Sequence, residues 1–303
     1  MIDQTVRIFK NIDSTDIRIL TAIELGMQKH EWVPLEHILK FTKISIEKLN
    51  YKLNWLTKND LVRKTQTPYD ACQIYFEGYD ALALNTLVKR NTINALGSEI
   101  GVGKESIVHE AICEPEFCIG DPTPSVIKFH REGMTSFKQV KRNRGHLAGK
   151  EHFSWIYAAR LSATREYNIM CTIYPEIDVP RPIDHNRHAI VMELVDGKPL
   201  FKTKLTNPEN ILNIILSQIK RLHQMGIIHS DISEYNIFLS EKGIKIIDWP
   251  QYVTCDHPHA FELLERDVSN ILTYFSRKYK IKTNLKDLIN YIVNENNDRG
   301  NEQ

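Results

Sequence analysis

The chain has 303 residues, 42% of them hydrophobic and 25% charged, with 39 basic against 38 acidic side chains for a net charge of +1. That length suits about two domains with full cores, and it excludes a disordered, collagen-like or disulfide-stapled chain. Near-neutrality argues against a uniformly basic nucleic-acid binder but leaves local patches open. The five cysteines, Cys72, Cys113, Cys118, Cys171 and Cys255, show no C-x-x-C spacing and read as small buried or partly buried thiols. The start, Met1-Ile2-Asp3-Gln4, lacks a basic segment followed by an apolar run, and no apolar stretch approaches 18 residues. The expectation is a cytoplasmic protein in a reducing compartment, with no membrane partner.

In chain order, residues 16–29 read as a helix capped by Asp16, with Ile19, Leu20, Ile23 and Met27 at helical spacing. Pro34 opens a second helix that runs to about Phe41. Ser45 caps a third, with Leu49, Leu53 and Leu56 on one stripe, and Asn59-Asp60 ends it. Residues 61–64 and 72–76 then read as two short strands around the turn Thr67-Pro68-Tyr69-Asp70, and helix resumes from Gly78. Three helices followed by a hairpin is the order of a winged helix, whose third helix and wing can meet nucleic acid. Lys48, Lys52, Lys58, Arg63 and Lys64 are the cations on offer, but residues 1–90 carry only 13 basic against 11 acidic side chains. Nucleic-acid contact and protein docking both stay open.

From about residue 91 the pattern changes to strands, a glycine turn and helix. Gly101-Val102-Gly103-Lys104-Glu105-Ser106-Ile107-Val108 fails the P-loop spacing, because Glu105 follows the lysine where a hydroxyl is needed. It fits the kinase loop G-x-G-x-x-G-x-V better, with Ser106 in place of the third glycine. Ser125-Val126-Ile127-Lys128 is a strand ending in lysine, which would carry charge to nucleotide phosphates. Glu166, in the helical run 158–170, is the carboxylate expected to orient it. His229-Ser230-Asp231-Ile232-Ser233-Glu234-Tyr235-Asn236 has the spacing H-x-D-x-x-x-x-N. Asp231 would orient or accept a proton, and Asn236 would ligate Mg2+. The strand 243–247 ends at Asp248, placed as a second metal ligand, since Mg2+ prefers such hard oxygen donors. The strand Ala189–Val195 falls where a hinge belongs, with Met192 as gatekeeper and backbone groups of Glu193 and Val195 facing adenine. The ordered set points to ATP-dependent phosphoryl transfer.

With these motifs in view, the chain resembles a RIO-type atypical protein kinase of the type-2 branch, over about residues 15–280. The resemblance is carried by Leu20-Thr21-Ala22-Ile23-Glu24-Leu25-Gly26-Met27, Gly78-Tyr79-Asp80-Ala81-Leu82-Ala83-Leu84 and the Gly101–Ser106 turn. It is carried further by Lys128-Phe129-His130-Arg131, Asn186-Arg187-His188-Ala189, Ile247-Asp248-Trp249-Pro250-Gln251 and Arg266-Asp267-Val268. It implies an α+β fold: an N-terminal winged helix, then a compact bilobal kinase domain without an activation loop or peptide-binding subdomains. The boundaries expected are 1–90 for the winged helix, 91–285 for the kinase domain (lobes 91–192 and 196–285), and 286–303 for a polar tail. It also implies ATP with Mg2+ (Mn2+ as a substitute), autophosphorylation, slow ATP hydrolysis, a phospho-aspartate at Asp248, and maturation of the small ribosomal subunit. Two departures stand out: Ser230 replaces the usual glycine before Asp231, and Tyr69-Asp70-Ala71 lacks the wing glycine.

Residues 131–150 hold Arg131, Lys138, Lys141, Arg142, Arg144 and Lys150 against Glu132 alone, a local charge of +5 (6 minus 1). This basic loop, with the winged helix, is the expected contact for ribosomal RNA of the small-subunit precursor. Thr135 and Ser136 within it are candidate autophosphorylation sites. A small-molecule kinase of the aminoglycoside or choline type shares the H-x-D-x-x-x-x-N loop and the Ile-Asp-Trp strand end. It would need a long helical acceptor region that this chain lacks. A DNA-binding regulator with an inactive kinase core is opposed by the presence of Lys128, Asp231, Asn236 and Asp248.

Overall fold

The computed structural model describes residues 2–113, 122–132 and 155–294. The chain divides into two compact units, one of residues 1–164 with 183–192 and one of residues 165–182 with 193–303.

The first unit opens with α1 (Ile2–Phe9), an element without a clear sequence signal, and α2 (Ser14–Gly26). The α2 cap is Asp13, not Asp16. Asp13 accepts from the Thr15 and Asp16 N–H groups, and Asp16 reaches back to the Asp13 N–H to complete a capping box. After the short β1 (Val33–Pro34) come α3 (Leu35–Thr42) and α4 (Ile46–Lys58), with Ser45 accepting from the Lys48 N–H as expected. The wing is β2 (Val62–Thr65) and β3 (Ala71–Ile74), in a sheet of order β1-β3-β2. It closes without a glycine: Thr65 lies opposite Ala71, and Thr65 Oγ1 donates to the Thr67 carbonyl. The stripe Leu49, Leu53 and Leu56 is fully buried beside Ile19, Leu20 and Ile23.

The joint between winged helix and kinase strands is α5 (Phe76–Lys89). Its residues from Phe76 through Leu84 are all buried, the mark of an interior helix. Tyr79, Ala81 and Leu82 pack into the winged-helix core. Ala83, Leu84 and Leu87 pack on a five-stranded sheet through Ala111, Ile127, Phe129 and Val191. That sheet has the order β4-β5-β6-β8-β7, from β4 (Ile93–Val102), β5 (Ser106–Cys113), β6 (Thr123–His130), β7 (Pro182–Asn186) and β8 (Ala189–Glu193).

Four of the blocks that carry the family resemblance, those of Glu24, Asp80, Arg131 and His188, converge here. Arg131 makes a two-pronged pair with Asp80 at 2.6 and 2.7 Å, His188 Nε2 lies 2.7 Å from the same carboxylate, and Tyr79 stacks on the His188 ring at 4.4 Å. Arg187 makes a second two-pronged pair with Glu24 at 2.8 and 2.9 Å. Burial alone would raise the Asp80 carboxyl, but Arg131 and His188 reverse this and hold it low. Burial pushes His188 down to about 4, so the ring is neutral.

The second unit takes up the C-terminal part of α6 (Trp155–Ile173). It continues with β9 (Lys198–Pro199), a 3-10 turn (Leu200–Lys202), α7 (Pro208–Gln224), β10 (Ile227–Ile228), β11 (Ile237–Ser240), β12 (Gly243–Ile246), β13 (Val253–Thr254) and α8 (Ala260–Tyr279). A further helix, α9 (Leu285–Val293), occupies residues 286–293 of the expected polar tail. It is amphipathic, Asn284 caps it, and it buries Ile289 and Ile292. Residues 295–303 lie outside the described part. No helix among the described residues is long and apolar enough to cross a membrane.

Candidate active site

In the first unit, strand pairing sets Gly101 opposite Val108 and Val108 opposite Lys128, so three expected nucleotide-site residues form one row across β4, β5 and β6. The Lys128 side chain is buried to 7% exposure. The turn itself is closed by Gly103 N–H donating to the Ser106 carbonyl at 2.8 Å, which leaves Lys104 exposed at its tip. A Cβ on Gly103 would come 3.3 Å from Ser106 Oγ, a tight approach that a small shift of the serine would relieve. Met192 is buried at the end of β8.

In the second unit, the catalytic loop is fixed by residues the motif does not contain. Asp267 on α8 accepts from the Ser230 N–H at 2.7 Å and the Ile232 N–H at 3.0 Å. Arg266 donates to the Ser230 carbonyl. Burial pushes the Asp267 carboxyl up to about 7, against the pull of its two backbone donors. Ser230 stands at φ 64, the left-handed region that favours glycine. Its hydroxyl donates to the Gln251 carbonyl at 2.6 Å, tying the catalytic loop to the segment after Asp248. His229 Nε2 is 3.1 Å from the Ile247 carbonyl, its ring lies 4.3 Å from that of the fully buried Trp249, and the Asp231 N–H donates to His229 Nδ1.

Asn236 Nδ2 donates to the Asp231 carbonyl at 2.8 Å and approaches its carboxylate at 3.3 Å, so the Asp and Asn of the H-x-D-x-x-x-x-N spacing lie side by side. Asp248 follows β12 at φ 71. Burial raises the Asp231 carboxyl, and the charge of Asp248 raises it further. The Asp231 and Asp248 carboxylates, with an amide oxygen on Asn236, offer the hard oxygen donors that suit a divalent cation. Among the described residues no group of three or more His, Cys, Asp or Glu could hold a metal alone. Asn236 and Asp248 as hard oxygen donors suit Mg2+, which takes one or two protein ligands and completes its shell with phosphates and water.

Two of the expected site residues make further contacts. Glu166 is buried in the second unit, and its Oε1 accepts from the Trp249 N–H at 3.2 Å, so it also holds the segment after Asp248. The Glu193 N–H donates to the Arg181 carbonyl, and its carboxylate accepts from the Arg181 N–H. Of the Glu193 backbone pair only the carbonyl is left for adenine, with Val195 beyond the strand end. Arg266 and Asp267 entered the sequence reading only as a resemblance block without a role, and their role is to hold the backbone of Ser230 and Ile232.

The fold and loop geometry are those of a RIO-type kinase, and similarity agrees. A RIO domain matches residues 108–288, and a Rio2 N-terminal domain matches residues 9–90. The RIO-type serine/threonine-protein kinase Rio2 of Methanocaldococcus jannaschii is 41% identical over 262 residues, covering 84% of this chain and 93% of that protein. The serine/threonine-protein kinase rio2 of Schizosaccharomyces pombe is 35% identical, covering 98% and 86%. The crystal structure of the Rio2 kinase–ADP/Mg2+–phosphoaspartate complex from Chaetomium thermophilum superposes with a TM-score of 0.80 at 32% identity, covering 95% of this chain and 89% of that one. The chain belongs to the Rio2 family of atypical serine/threonine-protein kinases.

Proposed function

We propose that this kinase uses ATP with Mg2+, hydrolyses ATP slowly through a phospho-aspartate at Asp248, and acts in the cytoplasm on the maturing small ribosomal subunit. The observation that carries the chemistry is the loop in which Asn236 holds Asp231, whose carboxyl is raised by burial and raised further by the charge of Asp248. The C. thermophilum relative, whose complex contains ADP, Mg2+ and phosphoaspartate, supports the same reading. Mg2+, held by Asn236 and Asp248, would neutralise phosphate charge, and Mn2+ would serve in its place. Lys128 supplies a fixed positive charge for the phosphates. Gly101, Gly103, Lys104, Ser106 and Val108 cover them, and Met192, Glu193 and Val195 meet the base.

In the hydrolytic branch an Asp248 oxygen bonds to the γ-phosphorus as the bond to the bridging oxygen breaks and ADP leaves. Water then cleaves the acyl phosphate, releasing phosphate and restoring the carboxylate. In the kinase branch a serine or threonine hydroxyl attacks instead, and Asp231, with its raised carboxyl, takes the proton. Brief incubation with γ-labelled ATP and Mg2+ tests the first branch. Label released by hydroxylamine from the wild type but absent from Asp248→Asn is expected. Label that persists in Asp248→Asn would contradict the assignment.

Contact with precursor RNA would come from the winged helix and the basic segment. Arg131 drops out of that set because it is 2% exposed and paired with Asp80. The segment still carries +5 from Lys138, Lys141, Arg142, Arg144 and Lys150, with no acidic residue across 133–150. These residues, with Thr135 and Ser136, lie outside the described part. Lys52 is also engaged, with Asp13 at 2.6 Å and Asp16 at 3.0 Å, which leaves Lys48, Lys58 and the exposed Tyr51 on α4. Co-sedimentation with small-subunit precursors is expected, and a protein that never co-migrates with them would remove the ribosomal half of the proposal. The small-molecule kinase alternative is not favoured, since the M. jannaschii and S. pombe relatives are protein kinases.

A further inference from the structure

Beside the catalytic loop lies a pair of exposed aromatic rings that the phosphoryl chemistry does not use. Phe201 is 38% exposed and Tyr235 is 59% exposed, with ring centres 4.8 Å apart. Tyr235 immediately precedes Asn236 in the loop that carries Asp231, and the Phe201 N–H donates to the Glu234 carbonyl at 3.2 Å. The backbone under Phe201 is tied down from α8. Tyr274 Oη donates to the Leu200 carbonyl at 2.8 Å, and Lys278 Nζ donates to the carbonyls of Phe201 at 3.1 Å and Thr203 at 2.9 Å. The turn is thus fixed by its main chain, and the Phe201 and Tyr235 rings form a paired, partly exposed aromatic surface of the kind that anchors a partner side chain.

The described residues also show no ordinary acceptor platform. After Asp248 the segment reaches α8 at Ala260 without an intervening helix, so a protein substrate must find its seat elsewhere near Asp231. We propose that Phe201 and Tyr235 form the acceptor step: a peptide lays an apolar or aromatic side chain next to its serine or threonine on these two rings. Lys202, whose ammonium lies 5.4 Å from the Phe201 ring centre, adds a preference for a carboxylate close by. This rests on the protein-kinase reading and names the substrate class of that site. The observations favour peptide over nucleic acid because the step shares its loop with the group that receives the acceptor proton.

The test uses the intact chain with Mg2+-ATP and serine peptides identical except for Phe or Ala beside the serine, with ATP hydrolysis followed in parallel. Because the readout is a ratio of the two peptides, it is insensitive to general losses of activity. The wild type is expected to favour the Phe peptide by about tenfold in kcat/KM, the scale of one apolar pocket contact. Phe201→Ala should bring the ratio near one, and Phe201→Tyr should keep it. An equal ratio in the wild type, or an undiminished one in Phe201→Ala, would overturn the proposal. So would a wild type that hydrolyses ATP yet phosphorylates neither peptide, whereas loss of ATP hydrolysis itself would go against the proposed function. Photo-crosslinking of a single-stranded oligonucleotide to Phe201, undisplaced by the Phe peptide, would reassign the step to nucleic acid.

Discussion

Ser230 and Asp248 flank the chemistry, and both hold a backbone conformation that costs a side-chain-bearing residue on the order of 1–2 kcal/mol. Such strain persists only where neighbours over-determine it. For Ser230 those neighbours are Asp267, Arg266 and the Gln251 carbonyl. Asp267 is therefore a positioning residue that acts through Ser230 and Ile232. Asp267→Ala would leave two buried N–H groups without acceptors, at about 1–3 kcal/mol each. The expected outcome is a lowered denaturation midpoint together with at least about tenfold slower ATP hydrolysis, the scale lost when catalytic groups shift by about an ångström. Asp267→Asn, which keeps an acceptor, should recover part of both. Hydrolysis at the wild-type rate in Asp267→Ala would show that the loop holds its shape alone.

At the scale of elements, the five-stranded sheet and the winged helix are joined by α5 and by the buried cluster of Asp80, Arg131 and His188. Removing one partner of a buried pair costs more than the pair contributes, typically about 3–5 kcal/mol. Arg131→Met should show that loss in denaturant titration, and the double variant with Asp80→Asn should lose less than the sum. The cluster also sets a pH dependence. The His188 ring titrates near 4 in the fold but near its ordinary 6.5 when unfolded. As pH falls from 6.5 towards 4, the unfolded chain takes up a proton that the native state refuses. Stability drops across that window by up to about 1.4 kcal/mol per pH unit. His188→Gln should flatten this part of the stability profile, and an unchanged profile would place the titration elsewhere.

These joints show what was legible in the residues. The stripe Leu49, Leu53 and Leu56, the lysine-ended strand, and the His229–Asn236 spacing were readable because local periodicity and motif spacing encode them. Element α1 and the contacts of Arg131 were not, because a cation's partner across a fold leaves no trace in spacing. Arg131 looked like part of a basic loop and is instead an interior ion. Asp16 looked like a cap and sits three positions inside one, because Asp13 also fits the N-cap. Helix α9 was hidden by polar neighbours that mask the buried pair Ile289 and Ile292.

For the molecule as a whole, the net charge of +1 conceals a concentrated basic segment, and association with RNA should depend on salt accordingly. Neutralising Lys141, Arg142 and Arg144 together should reduce the slope of log affinity against log salt by about 0.7 for each RNA phosphate that is no longer neutralised. An unchanged slope would remove that segment from the interface. In the proposed function Asp248 carries phosphoryl transfer, and its removal is expected to leave the fold standing. The most direct measurement is Mg2+-ATP hydrolysis by purified wild type and Asp248→Ala, with thermal unfolding recorded on the same samples. Turnover abolished in Asp248→Ala with an unchanged melting transition is the predicted result, and full turnover in that variant would contradict it.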